Sequence, residues 1–152
     1  IEGPSWLQSS KWAMPAIVLA SVWKDMGYFG LMLMSGLQGI NQEYYDAAAI
    51  DGAGKIKQFT RITLPLLTPT LFFVLIISLI NSFQLFTQIM IMTPDGGPLG
   101  STMVMVERIY KYGFRYYEMG TAAAYSWILF AILLLLTMVQ MKLQNKWVNY
   151  DD

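Results

Sequence analysis

The residues best placed to do chemistry are polar side chains inside stretches that otherwise look made for lipid. Asn81, Ser82, Gln84 and Gln88 lie in a run from Ile62 to Pro94 that holds no charged residue. Asn81, Gln84 and Gln88 are spaced three and four apart, so on a helix they share a face. A primary amide both donates and accepts hydrogen bonds, which matches the hydroxyls of a sugar. Phe83 and Phe86 add apolar surface beside them. Buried amides need partners, and a neighbouring helix would serve as well as a solute, so both uses stay open on different residues. Asp25 and Tyr28 form a second pair, one helical turn apart in an apolar block. A charge there normally faces a polar interior or a partner. The alternative is that Lys24 snorkels toward an interface with Asp25 paired to it.

Other chemistry is excluded. The chain has neither Cys nor His, which removes thiolate catalysis, the usual zinc sites and His-based acid–base work. Asp25, Glu43, Asp46 and Asp51 make no convincing carboxylate pair or metal cluster, because most of a span separates Asp25 from the rest. No catalytic residue, metal or cofactor is expected, and the protein reads as no enzyme. The net charge of zero gives no case for nucleic acid. A phosphate loop of the Gly-x-x-x-x-Gly-Lys-Ser/Thr type is absent, so the chain should not bind ATP itself.

These residues must be positioned by membrane helices. Of the 152 residues, 55% are hydrophobic and 13% charged, about half the charged share of an average soluble domain. Three uncharged or nearly uncharged blocks, about 13–40, 65–93 and 119–141, each exceed the roughly 20 residues that a span needs. The expected class is an all-α integral membrane protein of three transmembrane helices. Gly3-Pro4 opens a polar leader with Trp6 and Trp12 at an interface. Gly27, Gly30, Ser35, Gly36 and Gly39 suit close packing of the first span, and Gly120, Ala122, Ala123, Ala124 and Ser126 suit that of the last. Pro94-Asp95-Gly96-Gly97-Pro98 is a turn. Residues 102–112 predict a short amphipathic helix with Met103, Val106 and Ile109 on one side, followed by the aromatic run 114–117. Lys142, Lys146 and Trp147 read as an anchor, and Asp151-Asp152 as a solvated tail. The chain begins at Ile1 rather than Met, and it reads as the C-terminal part of a longer transmembrane domain.

Between the first two blocks lies a polar loop, about 41–64. Asn41 is placed to cap an Ala-rich helix. Gly52 and Gly54 break that helix and allow a turn. A second short helix is expected over 55–62, with Ile56, Phe59 and Ile62 on one face, ending at Leu64-Pro65, where Pro65 suits the first turn of the next helix. Ala47 and Ala48 let another surface come close. This stretch resembles the signature loop of membrane subunits of binding-protein-dependent ABC importers. That signature is Glu-Ala-Ala, three residues, Gly, nine residues, then Ile-x-Leu-Pro. Asp46, Ala47, Ala48, Gly52, Ile62, Leu64 and Pro65 stand at those spacings, with Asp46 in place of Glu. Gly96-Gly97-Pro98, Ser101-Thr102 and Met119-Gly120-Thr121-Ala122-Ala123-Ala124 are similar to runs in the sugar-importer branch.

The resemblance implies a permease subunit that moves a sugar or related solute across a prokaryotic cytoplasmic membrane. The loop, with Glu43 beside the signature residues, would be cytoplasmic and dock on ATPase subunits that supply hydrolysis. A second membrane subunit, commonly a different one, and an extracellular solute-binding protein would complete the importer in its lipid bilayer. The short helix after Pro98 would be extracellular. Tyr28, Asn81, Ser82 and Gln84 fall in spans where such permeases line the solute site. Lys55, Lys57, Arg61, Lys142 and Lys146 would lie inside, against Lys11, Arg108, Lys111 and Arg115 outside. That five-to-four balance is a weak orienting signal, so a cytoplasmic C-terminus rests on the resemblance. The alternative reading is a non-transporting scaffold or sensor that uses the loop to bind a cytoplasmic partner.

Overall fold

The computed structural model describes residues 5–147, with side chains through Gln144. The leader residues Gly3-Pro4, the side chains of Lys146 and Trp147, and the tail Asp151-Asp152 lie outside the described residues. Every regular element among the described residues is helical. The helices are α1 (Ala13–Gln38), α2 (Gln42–Ile50), α3 (Lys55–Leu66), α4 (Thr68–Phe83), α5 (Thr87–Met92), α6 (Met105–Tyr110) and α7 (Met119–Trp147).

Length and apolarity separate the candidate spans from the rest. α1 and α7 each contain 26 apolar-rich residues, about 39 Å of helix at 1.5 Å per residue, enough for a hydrocarbon core of about 30 Å. Only 6% and 11% of their most apolar windows are buried within the chain. Helices this apolar and this bare need lipid or further protein around them. α4 has 16 residues, about 24 Å, too short to cross alone. It follows α3 through a 60° bend, and the two helices together are apolar enough for a third span.

The chain divides into two compact units. One comprises Met26–Ser78 with the part of α7 from Thr137 onward. Here α1 and α4 touch at Gly36, where an added Cβ would sit 2.5 Å from Thr70 Oγ1 and 2.9 Å from Leu67 Cδ1. The packing expected of the first span's small residues is realised at this glycine, whereas Gly27 and Gly30 have nothing of the chain within 4 Å of an added Cβ. The second short helix does not stop at Leu64-Pro65 as its sequence suggested. It widens to a π-type turn over Phe59–Thr63 and stays helical to Leu66. The cause is proline chemistry: Pro65 has no N–H, and its ring would clash with the carbonyl four residues earlier in a regular α-helix. The wide turn, closed by Leu64 N–H to Phe59 O, relieves this. Pro69 likewise has no N–H to give the Pro65 carbonyl, which accepts instead from a backbone N–H at the end of α3 and from Thr68 Oγ1 at 2.6 Å.

The other unit comprises Ile1–Asp25 with Leu79–Leu136. The stretch 65–93 is not one helix, because the chain leaves α4 at Gln84 and resumes only at Thr87. The loop that follows turns on Gly96 (φ +87°) and Gly97 (φ +67°). Gly97 lies against Thr102 and Thr93, whose hydroxyls bond at 2.8 Å, and a Cβ there would meet Thr102 Oγ1 at 2.6 Å. The short helix starts at Met105, not Thr102, and its most buried side chain is Glu107 rather than an apolar one. Glu107 pairs with Lys111 at 3.1 Å, and Lys111 also reaches Asp95 at 3.8 Å. Arg115 pairs with Asp95 as well. Gly113 packs against Ala122, tying the end of this segment to the start of α7.

Candidate functional site

Two places gather the residues that the sequence singled out. The first is the turn between α2 and α3. Asn41 Oδ1 accepts from the Glu43 N–H at 3.0 Å, and Asn41 Nδ2 donates to Glu43 Oε2 at 3.2 Å. This reciprocal cap fixes the helix start. Asp46 accepts from Gln42 Nε2 at 3.3 Å, one turn earlier. At the other end, Ala53 N–H donates to Ala48 O at 2.9 Å and Gly52 N–H to Ala49 O at 3.0 Å. With Gly52 at φ +73°, this is a Schellman cap. Nothing lies within 4 Å of a Cβ added to Gly52, so its backbone conformation, not lack of space, demands glycine.

Two side chains that sequence reasoning passed over lock this turn. Tyr45 Oη bonds Thr63 Oγ1 at 2.9 Å, joining α2 to the π-type turn of α3. Gln58 Nε2 donates to Ala53 O at 3.1 Å, holding the loop against α3. A tyrosine one residue before Asp46 and a threonine in the Ile62-Thr63-Leu64-Pro65 run are signals in hindsight, but eighteen residues separate them. Ala47 is exposed, while Ile62 and Pro65 are half-buried and Leu64 is exposed. Around the turn, Ile50 is 87% exposed and Ile56 82%. A braced turn that displays bare isoleucines is a surface made to be covered.

The second place is a polar cavity of about 280 Å³ in the unit that holds the helix break. Lys24, Asp25, Asn81, Gln84, Thr87 and Gln88 line it, with Leu85 and Phe86. The amides meet there although the helix that was to align them is interrupted between Gln84 and Thr87. Lys24 Nζ lies 3.3 Å from Asp25 Oδ1. Lys24 and Thr87 are lining residues that the sequence reading did not place in a site. Tyr28 and Ser82 are not among the lining residues. Tyr28 is exposed and meets Phe29 edge to face, and Ser82 Oγ donates to Leu79 O at 2.8 Å in its own helix. Among the described residues no group of three or more acidic side chains could hold a metal ion.

The family model described as binding-protein-dependent transport system inner membrane component matches residues 3–150. The chain belongs to this family. By family, then, it is part of an inner membrane component of a transport system. It is 36% identical over 148 residues to the probable ABC transporter permease protein YesP of Bacillus subtilis (strain 168), covering 97% of this chain and 48% of that protein. It is 37% identical over 151 residues to the sn-glycerol-3-phosphate transport system permease protein UgpA of Yersinia pestis, covering 98% of this chain and 51% of the relative. The chain therefore spans about half the length of the curated relatives it matches. A bacterial alginate ABC transporter, solved in complex with an alginate pentasaccharide-bound periplasmic protein, superposes with a TM-score of 0.83 over 96% of this chain and 51% of the other, at 22% identity. At that identity the likeness is one of fold.

Proposed function

We propose that this chain forms part of a sugar-type importer permease in a prokaryotic cytoplasmic membrane, with three spans built from α1, the bent α3–α4 pair and α7. In this reading the α2–α3 turn and the C-terminus are cytoplasmic, and the segment with α6 is extracellular. The turn docks on an ATPase subunit, which supplies hydrolysis, and passes its closure to the helices. A second, different membrane subunit and an extracellular solute-binding protein complete the assembly. The solute is a sugar or a related compound.

The observation that carries the reading is the braced turn at Gly52. Its signature residues Asp46, Ala47, Ala48, Gly52, Ile62, Leu64 and Pro65 belong to the capped helix, the turn and the π-type bend, beside which Ile50 and Ile56 form an exposed apolar edge. A rigid knob transmits displacement, whereas a floppy loop would absorb it. The test is Gly52→Pro in the assembled importer. Proline cannot adopt φ +73° and removes the N–H that bonds Ala49 O. Insertion into the membrane should persist while ATP-driven uptake of a labelled sugar panel falls to background. Normal uptake would contradict the docking role. Solute recognition is assigned to the cavity at the helix break, where irregular backbone inside a membrane protein is tolerated if it lines a polar space.

A further inference from the structure

We infer that the cavity at the helix break takes an uncharged polyhydroxy solute, about one sugar ring at a time, and that Asp25 is the specificity-determining group that turns anions away. This rests on the solute-path reading of the same cavity.

The lining carries the argument. Asn81, Gln84 and Gln88 contribute three amides and Thr87 a hydroxyl. Each of these groups both donates and accepts, as a sugar hydroxyl does, so every pairing satisfies both partners. A phosphate or carboxylate only accepts, and it would leave the amide carbonyl oxygens facing a negative charge. Lys24 and Asp25 are the charged groups among the lining residues, and they neutralise each other at 3.3 Å. An anion drawn to Lys24 must therefore come within a few ångströms of the Asp25 carboxylate, where repulsion cancels the attraction. Asp25 is also the less exposed partner, with 33% of its side chain accessible against 60% for Lys24.

Size and shape agree. About 280 Å³ is just below the roughly 300–1,000 Å³ usual for ligand pockets. It holds one ring or a short polyol segment rather than a whole oligosaccharide. Phe86 gives the wall an apolar element, and its ring is held 5.1 Å from that of Tyr110. A flat aromatic surface beside hydrogen-bonding amides suits the two characters of a sugar ring, polar at its edge and apolar on its face.

The experiment uses the importer assembled around this chain in nanodiscs, without its binding protein. Maltose and sn-glycerol 3-phosphate serve as neutral and anionic probes, titrated by saturation-transfer NMR. The expected result is transfer to maltose, lost in Gln84→Leu, and little to the phosphate ester. Asp25→Asn should raise affinity for the ester by about tenfold or more at low salt while leaving maltose within about twofold, and the gain should shrink as salt rises. A merely structural Asp25 would not produce a salt-dependent switch between solute classes. If Asp25→Asn fails to assemble, Asp25→Ser removes the same charge and carries the test. Equal binding of maltose and the ester by the unaltered protein would overturn the charge filter but leave the cavity a solute site. Absence of binding by either probe, or maltose transfer indifferent to Gln84→Leu, would overturn the solute-path reading and this inference with it.

Discussion

At the scale of single residues, Gly52 and Glu107 show opposite relations between sequence and role. Gly52 was legible because a glycine after an Ala-rich helix is the usual device for a left-handed cap, and φ +73° is that device at work. Gly52→Ala should cost about 1 kcal/mol through backbone strain alone, since a methyl there meets nothing. Thermal unfolding of the detergent-held protein measures it, and a neutral result would deny the strain. Glu107 was not legible. A helix with Met103, Val106 and Ile109 on one side suggested an apolar burial face, yet the carboxylate is 3% exposed and is neutralised by Lys111, four residues on. Lys111 is shared with Asp95, and that contact, made through the fold of the loop, is invisible to a periodic pattern. Glu107 Oε2 has no hydrogen-bond partner among the described residues, so the carboxylate depends on Lys111. Lys111→Met should destabilise by about 3–5 kcal/mol, as breaking a buried pair does, and Lys111→Arg by much less. Equal melting temperatures for both variants would show that the pair is idle.

At the scale of elements, the α3–α4 bend is where local rules and the fold part company. Leu64-Pro65 reads as a helix stop because proline usually ends helices it does not begin. The chain instead absorbs Pro65 with a π-type turn and places its bend one turn later, where Thr68 Oγ1 takes over the role of the missing Pro69 N–H. Which of two nearby prolines bends a helix depends on side chains that can satisfy the freed carbonyls. Thr68→Val should cost about 0.5–1.5 kcal/mol by removing one of the two donors to the Pro65 carbonyl. In a Pro69→Ala background the restored N–H should remove most of that cost, so a double-mutant cycle on melting temperature gives strong coupling. Additive effects would contradict the account. Gly36 makes a second element-scale prediction. Gly36→Val should separate α1 from Thr70 and Leu67 and cost about 1–3 kcal/mol as overpacking, whereas Gly27→Val, with open space around it, should change stability little in the isolated chain.

At the scale of the whole molecule, helix class and membrane character were written plainly in long uncharged runs; α1 runs from Ala13 to Gln38, and α7 from Met119 to Trp147, six residues past the apolar block. The middle block was harder, because hydropathy records where the chain is apolar and not where it bends or breaks. The interruption at Gln84–Phe86 is coded by no proline or glycine, yet it is there that Asn81, Gln84 and Gln88 find Lys24 and Asp25. The three amides line one cavity although the single helix whose spacing grouped them is broken, and the position of the Lys24–Asp25 pair beside them needed the fold. The function proposed above rests on the signature loop, whose α2–α3 turn would couple this chain to an ATPase. The chain has no cysteine, so Ile56→Cys, at an 82% exposed position, gives a single reporter. With other cysteines of the importer removed and single cysteines placed along the groove of its ATPase subunit, the account predicts a disulfide crosslink whose yield changes when ATP is added. Failure to crosslink at every groove position, with both proteins folded and present in one membrane, would contradict it.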